Sequence, residues 1–212
     1  MCGRFELKTK FEKLPKVLKQ DYPIGLDSKY DTQSLIRPND PVLVIKNEGR
    51  IKTTFMLWGF ISPWAKEPFA KGIPRPFNAR SETIEEKNLF RGSWKHKRCL
   101  IPASGFFERK KLFRKENYET FWLGGIWSKW TSSNGSEIES CCILTTESND
   151  LIKPLHHRMP VIVPNQYEEQ WTAQVKDSNE LKCLFPIMSA GPQEGWVSEE
   201  VKQKEDNQMS LF

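Results

Sequence analysis

The stretch of residues 98–146, RCLIPASGFFERKKLFRKENYETFWLGGIWSKWTSSNGSEIESCCILTT, contains most of the strand-forming segments of the chain. Its apolar runs are short, rich in aromatic and β-branched residues, and separated by Gly, by Ser-Asn-Gly or by charged turns. This punctuation is typical of successive β-strands. The predicted strands lie at 98–103, 105–109, 118–123, 125–130 and 137–146. They indicate an antiparallel sheet that curls into a barrel.

The flanking sequence adds further elements to this sheet. PVLVIK (41–46) and IKTTFMLW (51–58), joined by NEGR, predict a β-hairpin. The remaining expectations are a helix within 9–20 limited by Pro15, a capping box from Thr83 to Glu86 opening a helix to Phe90, strands at 159–163 and 185–190, and a helix at 165–174. The predicted class is α+β, a single domain with a barrel-like antiparallel β core and a few short flanking helices.

Length and composition set the broad class. A chain of 212 residues with 38% hydrophobic and 28% charged residues can bury one core unaided. It has no apolar run long enough for a bilayer and no signal peptide at its start. Its five cysteines lack paired spacing, which favours a reducing compartment. We expect a monomeric, cytoplasmic, nucleoid-associated bacterial protein without cofactor or membrane contact.

The charges are unevenly distributed. Residues 1–115 contain 25 Lys and Arg against 12 Asp and Glu, whereas residues 116–212 contain 7 against 15. An ordinary solvated surface explains such a bias as well as a polyanion-binding face does.

The second residue is a cysteine, and an initiator Met before a small residue is normally excised. Removal of Met1 gives Cys2 an α-amine beside its thiol. An α-amine titrates near ~8 rather than near ~10.4 as in lysine, so more of it is neutral and able to attack an aldehyde. The neighbouring sulfur then closes a five-membered thiazolidine, which is far more persistent than an imine.

Four strings in order carry a more specific signal: MCGRF at the start, PFNARSET at 76–83, PASGFFE at 102–108 and HHRMPVIV at 156–163. Together they resemble the SOS-response-associated peptidase (SRAP) family of abasic-site processing proteins, and WGF at 58–60 with PW at 63–64 is also similar to the family pattern. The resemblance implies a SRAP-like catalytic domain over residues 1–196. It implies that Cys2 crosslinks the ring-opened abasic sugar in single-stranded DNA.

The resemblance also implies roles for individual residues. Asn78 would hydrogen-bond the reacting amine or sugar, Glu108 would be the acid–base carboxyl, and His156 would transfer protons. Only one of His156 and His157 is expected in the site, since neighbouring side chains of a strand face opposite ways. The residues expected to hold DNA are Arg4, Arg80 and Arg158 on phosphates and Trp64 under a base. Arg109 replaces an expected Trp, and Leu35 replaces an expected Asn, so the DNA surface departs from the family pattern.

Other functions remain open at this point. A Met-Cys-Gly start also fits an N-terminal-nucleophile cysteine amidohydrolase, although no glutamine-binding constellation is found. A non-enzymatic adaptor for single-stranded DNA is a further alternative, and associated autoproteolytic or lyase activity is another. A metal site at Cys141, Cys142, His156 and His157 lacks the spacing that ligation favours, so no metal is expected.

The last residues form a separate feature. After Trp196 the chain is too polar to fold alone, so residues 197–212 are expected to be a flexible charged tail. QMSLF at 208–212 resembles peptides that dock on the bacterial sliding clamp, with Gln208, Leu211 and Phe212 as the contacting residues. A tail end that packs on its own barrel has nearly equal weight.

Overall fold

The computed structural model describes residues 2–21, 31–189, 191 and 194–201. Within these ranges the strands are β1 (Phe5–Leu7), β2 (Gln33–Ile36), β3 (Pro41–Asn47), β4 (Ile51–Trp58), β5 (Asn78–Arg80), β6 (Arg98–Ala103), β7 (Gly105–Glu108), β8 (Lys111–Lys115), β9 (Phe121–Thr131), β10 (Glu137–Glu147), β11 (Arg158–Pro160), β12 (Ile162–Val163) and β13 (Trp196–Glu200). The helices are α1 (Lys16–Gln20), α2 (Asn88–His96), α3 (Glu168–Thr172) and α4 (Ser178–Lys182), with 3-10 turns at Phe11–Lys13, Ser81–Thr83, Asn165–Tyr167 and Pro186–Met188.

Five strands close a barrel in the order β4, β3, β6, β9 and β10. The predicted hairpin is present, because β3 pairs with β4 from Pro41 opposite Leu57 to Asn47 opposite Ile51. Strand β10 closes the barrel by pairing in parallel with β4 near Trp58. The α+β class and the barrel are therefore confirmed, and the closing pair is the exception to the expected antiparallel arrangement.

A second sheet joins this barrel, with the antiparallel order β13, β8, β7, β1 and β2. Its inner face is aromatic: the rings of Phe106 and Phe113 stack at 5.4 Å, and Phe121 of the barrel meets Trp196 at 4.8 Å. Burial of these large rings contributes strongly to stability. The sheet also carries β1 between β7 and β2, which fixes the start of the chain against the barrel.

Two of the predicted barrel elements differ from the structure. The strands expected at 118–123 and 125–130 are one continuous strand, β9, because Gly124 and Gly125 lie inside it and not in a turn. There the glycines allow close packing: a Cβ on Gly124 would approach Trp171 to 2.8 Å. The KLFRK segment of β8 was missed, since its charges disguise the buried Leu112 and Phe113.

Three expectations outside the barrel core were also wrong. Where a strand was expected at 185–190, Pro186–Met188 forms a 3-10 turn. The capping box does not open a helix, because α2 begins only at Asn88. Residues 197–200 belong to β13 and not to a tail: this strand pairs with β8, where Glu200 lies opposite Lys111 and Glu199 forms an ion pair with Arg114. Pairing with β8 stabilises this strand, which its polar composition alone does not.

Within the described part of the chain, no helix is both long and apolar enough to span a membrane.

We predict that Gly125→Ala destabilises the barrel. Its Cβ would come within 2.9 Å of the Cys142 carbonyl oxygen in the paired strand β10, which has little freedom to move. The free energy of unfolding should fall by about 1–3 kcal/mol, as measured by urea denaturation. Gly92→Ala is the control, because this helical position is open and alanine favours helix by up to about 1 kcal/mol. A wild-type urea midpoint for Gly125→Ala would contradict this packing.

Candidate active site around Cys2

Cys2 lies just before β1, and its side chain is 0% exposed. Burial raises the pKa of the thiol to about 12, and the negative charge of Glu108 adds to this effect. At pH 7 only about one such thiol in 10⁵ is ionised. The Sγ atom lies 3.8 Å from the Arg4 carbonyl oxygen, to which the thiol donates. The thiol of Cys2 is therefore protonated at neutral pH.

Asn78 begins β5 and contacts the backbone of Cys2. Its Nδ2 donates a 2.8 Å hydrogen bond to the Cys2 carbonyl oxygen. Its Oδ1 is buried and accepts no hydrogen bond from the residues that the structure describes. A buried amide oxygen without a donor is costly, and it suits a donor such as an amine or a sugar hydroxyl. The pairing of Asn78 with Ile143 of β10 holds the side chain in this position.

Glu108 ends β7, and it is 8% exposed. Two pairings fix its place: Phe106 faces Phe5 of β1, and Glu108 itself faces Lys111 of β8. Because β1 leads back to Cys2, the carboxylate acts electrostatically on the thiol. In the structure, Cys2 thus contacts Asn78 through its backbone and experiences the charge of Glu108.

His156 lies just before β11. Its Nδ1 accepts a 3.0 Å hydrogen bond from the Arg158 amide, and the Arg158 carbonyl oxygen lies 3.2 Å from the same nitrogen. When Nδ1 accepts, the neutral ring carries its proton on Nε2. β11 and β5 lie on either side of β10, since Thr145 of β10 pairs with both Pro160 and Arg80. The strand that follows His156 and the strand that begins with Asn78 are therefore both neighbours of β10.

The expectation that His156 and His157 face opposite ways was wrong. Their rings stack with centroids 4.5 Å apart and an interplanar angle of 24°. The reason is local: both residues precede β11, so the alternation of a strand does not apply. His157 is exposed and lines a cavity of about 440 Å³ with Arg80 and Lys153.

The residues expected to contact DNA differ in their exposure to solvent. Arg80 is exposed, and Trp64 is 66% exposed, so both are accessible to a ligand. Arg4 is half-buried, and its guanidinium donates to the Arg109 carbonyl oxygen at 2.6 Å. Arg109 is exposed and has a left-handed backbone conformation at φ 54°.

Arg158 is different, and its predicted role as a phosphate contact is not supported by its position. It is 6% exposed, and its two terminal nitrogens bind the carboxylate of Glu82 at 2.7 and 2.8 Å. One of them also donates to the Thr145 carbonyl oxygen at 2.5 Å. A guanidinium held in this way by a carboxylate has little left for a phosphate. Its backbone instead positions His156.

Glu82 is a site-supporting residue that the sequence did not single out. It lies in the string PFNARSET, but nothing in its spacing indicates that it pairs with a residue 76 positions away. Its carboxylate binds Arg158, so it fixes the backbone that holds His156.

The alternative metal reading has no support in the geometry. Cys141 and Cys142 are buried in β10, where burial raises the pKa of both thiols. Among the described residues, no group of three or more His, Cys, Asp and Glu side chains is placed to hold a metal ion.

The chain is thus an α+β barrel protein whose second residue is a buried cysteine. The Asn78 amide contacts the backbone of this cysteine, and the Glu108 carboxylate acts on its thiol. Comparison with known proteins identifies the family within this class. The family model of SOS response associated peptidase (SRAP) matches residues 1–204, so the chain belongs to the SRAP family.

Two relatives from Bacillus subtilis (strain 168) span this whole chain. Abasic site processing protein YoaM is 34% identical over 226 residues, covering 100% of this chain and 97% of its own length. Abasic site processing protein YoqW is 32% identical over 224 residues, covering 100% and 99%. A crystal structure of a protein from Bacteroides thetaiotaomicron has the same fold, with a TM-score of 0.81, 24% identity and coverage of 95% and 93%.

We predict that Glu82→Gln lowers stability at neutral pH and not at acid pH. Burial alone would raise the pKa of Glu82, but the hydrogen bonds and charge of Arg158 outweigh it, so the pKa is lowered. Such a carboxylate stabilises the fold above its unfolded pKa of about 4.3, and this contribution is lost as pH falls through the lower folded pKa. Because the Glu82 side chain is 42% exposed, we expect a loss of about 1 kcal/mol at pH 7.

The measurement is urea unfolding of wild type and variant at pH 7 and near pH 3. The exposed Glu85→Gln is the matched control on the same loop, and it should unfold as wild type does at both values. A stability difference for Glu82→Gln that persists unchanged near pH 3 would show that the ion pair is not its cause.

Proposed function

We propose that this protein processes abasic sites in single-stranded DNA through a covalent bond to Cys2. The amine and thiol exposed by removal of Met1 would condense with the ring-opened sugar aldehyde. Membership of the SRAP family and two relatives named abasic site processing proteins support this proposal. The observation that carries it is the contact of Asn78 with the Cys2 backbone beside the charge of Glu108.

The burial of Cys2 suggests the order of steps. With a pKa of about 12, the thiol is a poor first nucleophile, whereas an α-amine titrating near ~8 is partly neutral at pH 7. The amine nitrogen would add to the aldehyde carbon, and loss of water would give an imine. The sulfur would then bond to the imine carbon while the thiol proton passes to the nitrogen. The products are a thiazolidine and one water molecule.

Three side chains suit the proton transfers of this sequence. Glu108 would take up the thiol proton and pass it on to the nitrogen, a role supported by the effect of its charge on the thiol. The Oδ1 of Asn78 offers a buried acceptor for the amine or for a sugar hydroxyl. His156, with its proton on Nε2 when neutral, can donate to the sugar oxygen or to departing water.

The same geometry suggests how DNA is held. Arg80 and Arg4 are the candidate phosphate contacts, and Trp64 offers an exposed ring for a neighbouring base. Arg158 serves as a positioning residue for His156 in this proposal, since Glu82 occupies its guanidinium.

The decisive experiment is an adduct assay. The purified protein is incubated with an oligonucleotide that carries one abasic site, made by uracil glycosylase, and the product is analysed by denaturing gel and intact mass. We expect a covalent adduct that has lost one water molecule. Cys2→Ala should form no thiazolidine, because the sulfur is missing. Both Cys2→Ala and Cys2→Ser keep the α-amine once Met1 is removed, so the imine of either variant should be trapped only with a reductant.

Cys183→Ser is the matched control, because Cys183 is exposed and lies outside the site. It should form the adduct as wild type does. If wild type forms no adduct, the covalent mechanism is wrong. If Cys2→Ala binds and protects abasic DNA as well as wild type, the protein is an adaptor. A wild-type activity on glutamine amides that needs Cys2 would favour the amidohydrolase alternative.

The clamp peptide at 208–212 lies outside the described residues and stays a prediction. We propose that Gln208, Leu211 and Phe212 contact the hydrophobic groove of a sliding clamp. Deletion of 208–212 should abolish clamp binding in surface plasmon resonance while adduct formation with abasic DNA is kept. Replacement of the charged 202–206 segment by a Gly-Ser linker of equal length is the control, and clamp binding that survives the deletion would end the idea.

A further inference from the structure

A cavity on the outer face of the second sheet is separate from the site at Cys2. It has a volume of about 400 Å³ and lies beside β1, β8 and β13. Its lining includes Lys8, Lys10 and Lys13 from the segment after β1. It also includes Arg114 of β8 and Tyr118 of the turn that follows β8.

The charge of this cavity is positive. Glu6 binds Lys8 at 2.7 Å, and Glu199 binds Arg114. These are the two acidic residues of its lining, and each already has a basic partner. Lys10 and Lys13 are exposed, and within the described ranges neither ammonium has an acidic partner. Two cations are thus left to attract an anion.

Tyr118 adds a flat aromatic surface beside these lysines. It is 67% exposed, and the guanidinium of Arg114 lies 3.7 Å from its ring centroid on one face. Arg114 is held in place by the carbonyl oxygens of Lys115 and Glu116. Tyr118 also has a left-handed backbone at φ 59°, which is unusual for a bulky residue and tends to occur at functional positions. A ring backed by a cation and open to solvent suits stacking of a base.

Strand β1 connects this cavity to the active site. Arg4 directly precedes β1 beside Cys2, and Lys8 directly follows it in the lining of the cavity. The rise from Arg4 to Lys8 is about 13 Å, at about 3.3 Å per residue. A stacked single strand covers that length in about four nucleotides.

We propose that this cavity is a second nucleic-acid subsite. It takes the phosphates of the same single strand a few nucleotides from the abasic sugar, with Lys10 and Lys13 on phosphates and Tyr118 under a base. This rests on the proposed function, because the strand is placed by its attachment at Cys2. In this proposal Lys10 and Lys13, which belong to the excess of basic residues in 1–115, bind DNA phosphates.

The test compares the double variant Lys10→Glu/Lys13→Glu with wild type. Binding of oligothymidylates of increasing length is measured by fluorescence anisotropy at several salt concentrations. Wild-type affinity should rise once the oligonucleotide is long enough to reach the cavity, and the double variant should lose this gain, about five- to tenfold. Its slope of log Kobs against log salt should be smaller by about 1.4, the amount for two lost phosphate contacts. Tyr118→Asn, which tolerates the left-handed backbone, should weaken binding while leaving the slope unchanged.

The control is Lys176→Glu/Lys182→Glu, which makes the same change of net charge at exposed residues near α4. If this control weakens binding as much, or if the Lys10/Lys13 variant keeps wild-type affinity and slope, the subsite is refuted. Adduct formation with the shortest abasic oligonucleotide is followed in parallel and should be equal in all variants. Length-dependent binding without any wild-type adduct would support the subsite and refute the covalent mechanism.

Discussion

The insertion of β1 between β7 and β2 is the constraint on which the site depends, because it carries the start of the chain into the protein. Phe5 pairs with Phe106 on one side and with Ile36 on the other, and its ring meets Trp58 of the barrel at 5.1 Å. Cys2, three residues earlier, is consequently buried and not frayed as chain ends usually are. A residue near a terminus thereby acquires the low-dielectric surroundings of a core residue, and its chemistry follows from that burial.

Burial raises the pKa of the Cys2 thiol to about 12, and the negative charge of Glu108 adds to this effect. Glu108 lies at the end of β7, the strand that pairs with β1. The Asn78 amide fixes the Cys2 carbonyl at 2.8 Å without adding charge, so it does not compete with that carboxylate. Farther along, the Glu82 carboxylate binds Arg158, whose backbone amide orients His156. Polar groups in this site are thus fixed by one another and by paired strands.

The elements with a strong local pattern were predicted well, whereas those that depend on a distant partner were not. The β3–β4 hairpin and β6, β7 and β10 follow from apolar runs and turn residues. Gly124 was mistaken for a turn, because only the position of Trp171 explains why the strand needs a glycine there. Strands β8 and β13 look polar singly, and they form by pairing with each other, with Arg114 bound to Glu199 across the pair. Local sequence carries no record of such partners.

The sequence alone determined the barrel class, the family resemblance and the identity of Cys2, Asn78, Glu108 and His156 as candidate residues, because short motifs and strand periodicity are local properties. Tertiary structure decided what each residue experiences. It buried Cys2, left Trp64 and Arg80 accessible, and turned Arg158 from an expected phosphate contact into the partner of Glu82. It also gathered three lysines, Arg114 and Tyr118 around one cavity. These outcomes depend on contacts between residues far apart in the sequence, such as Arg158 and Glu82, which are 76 positions apart, and burial and electrostatic environment arise only from such contacts.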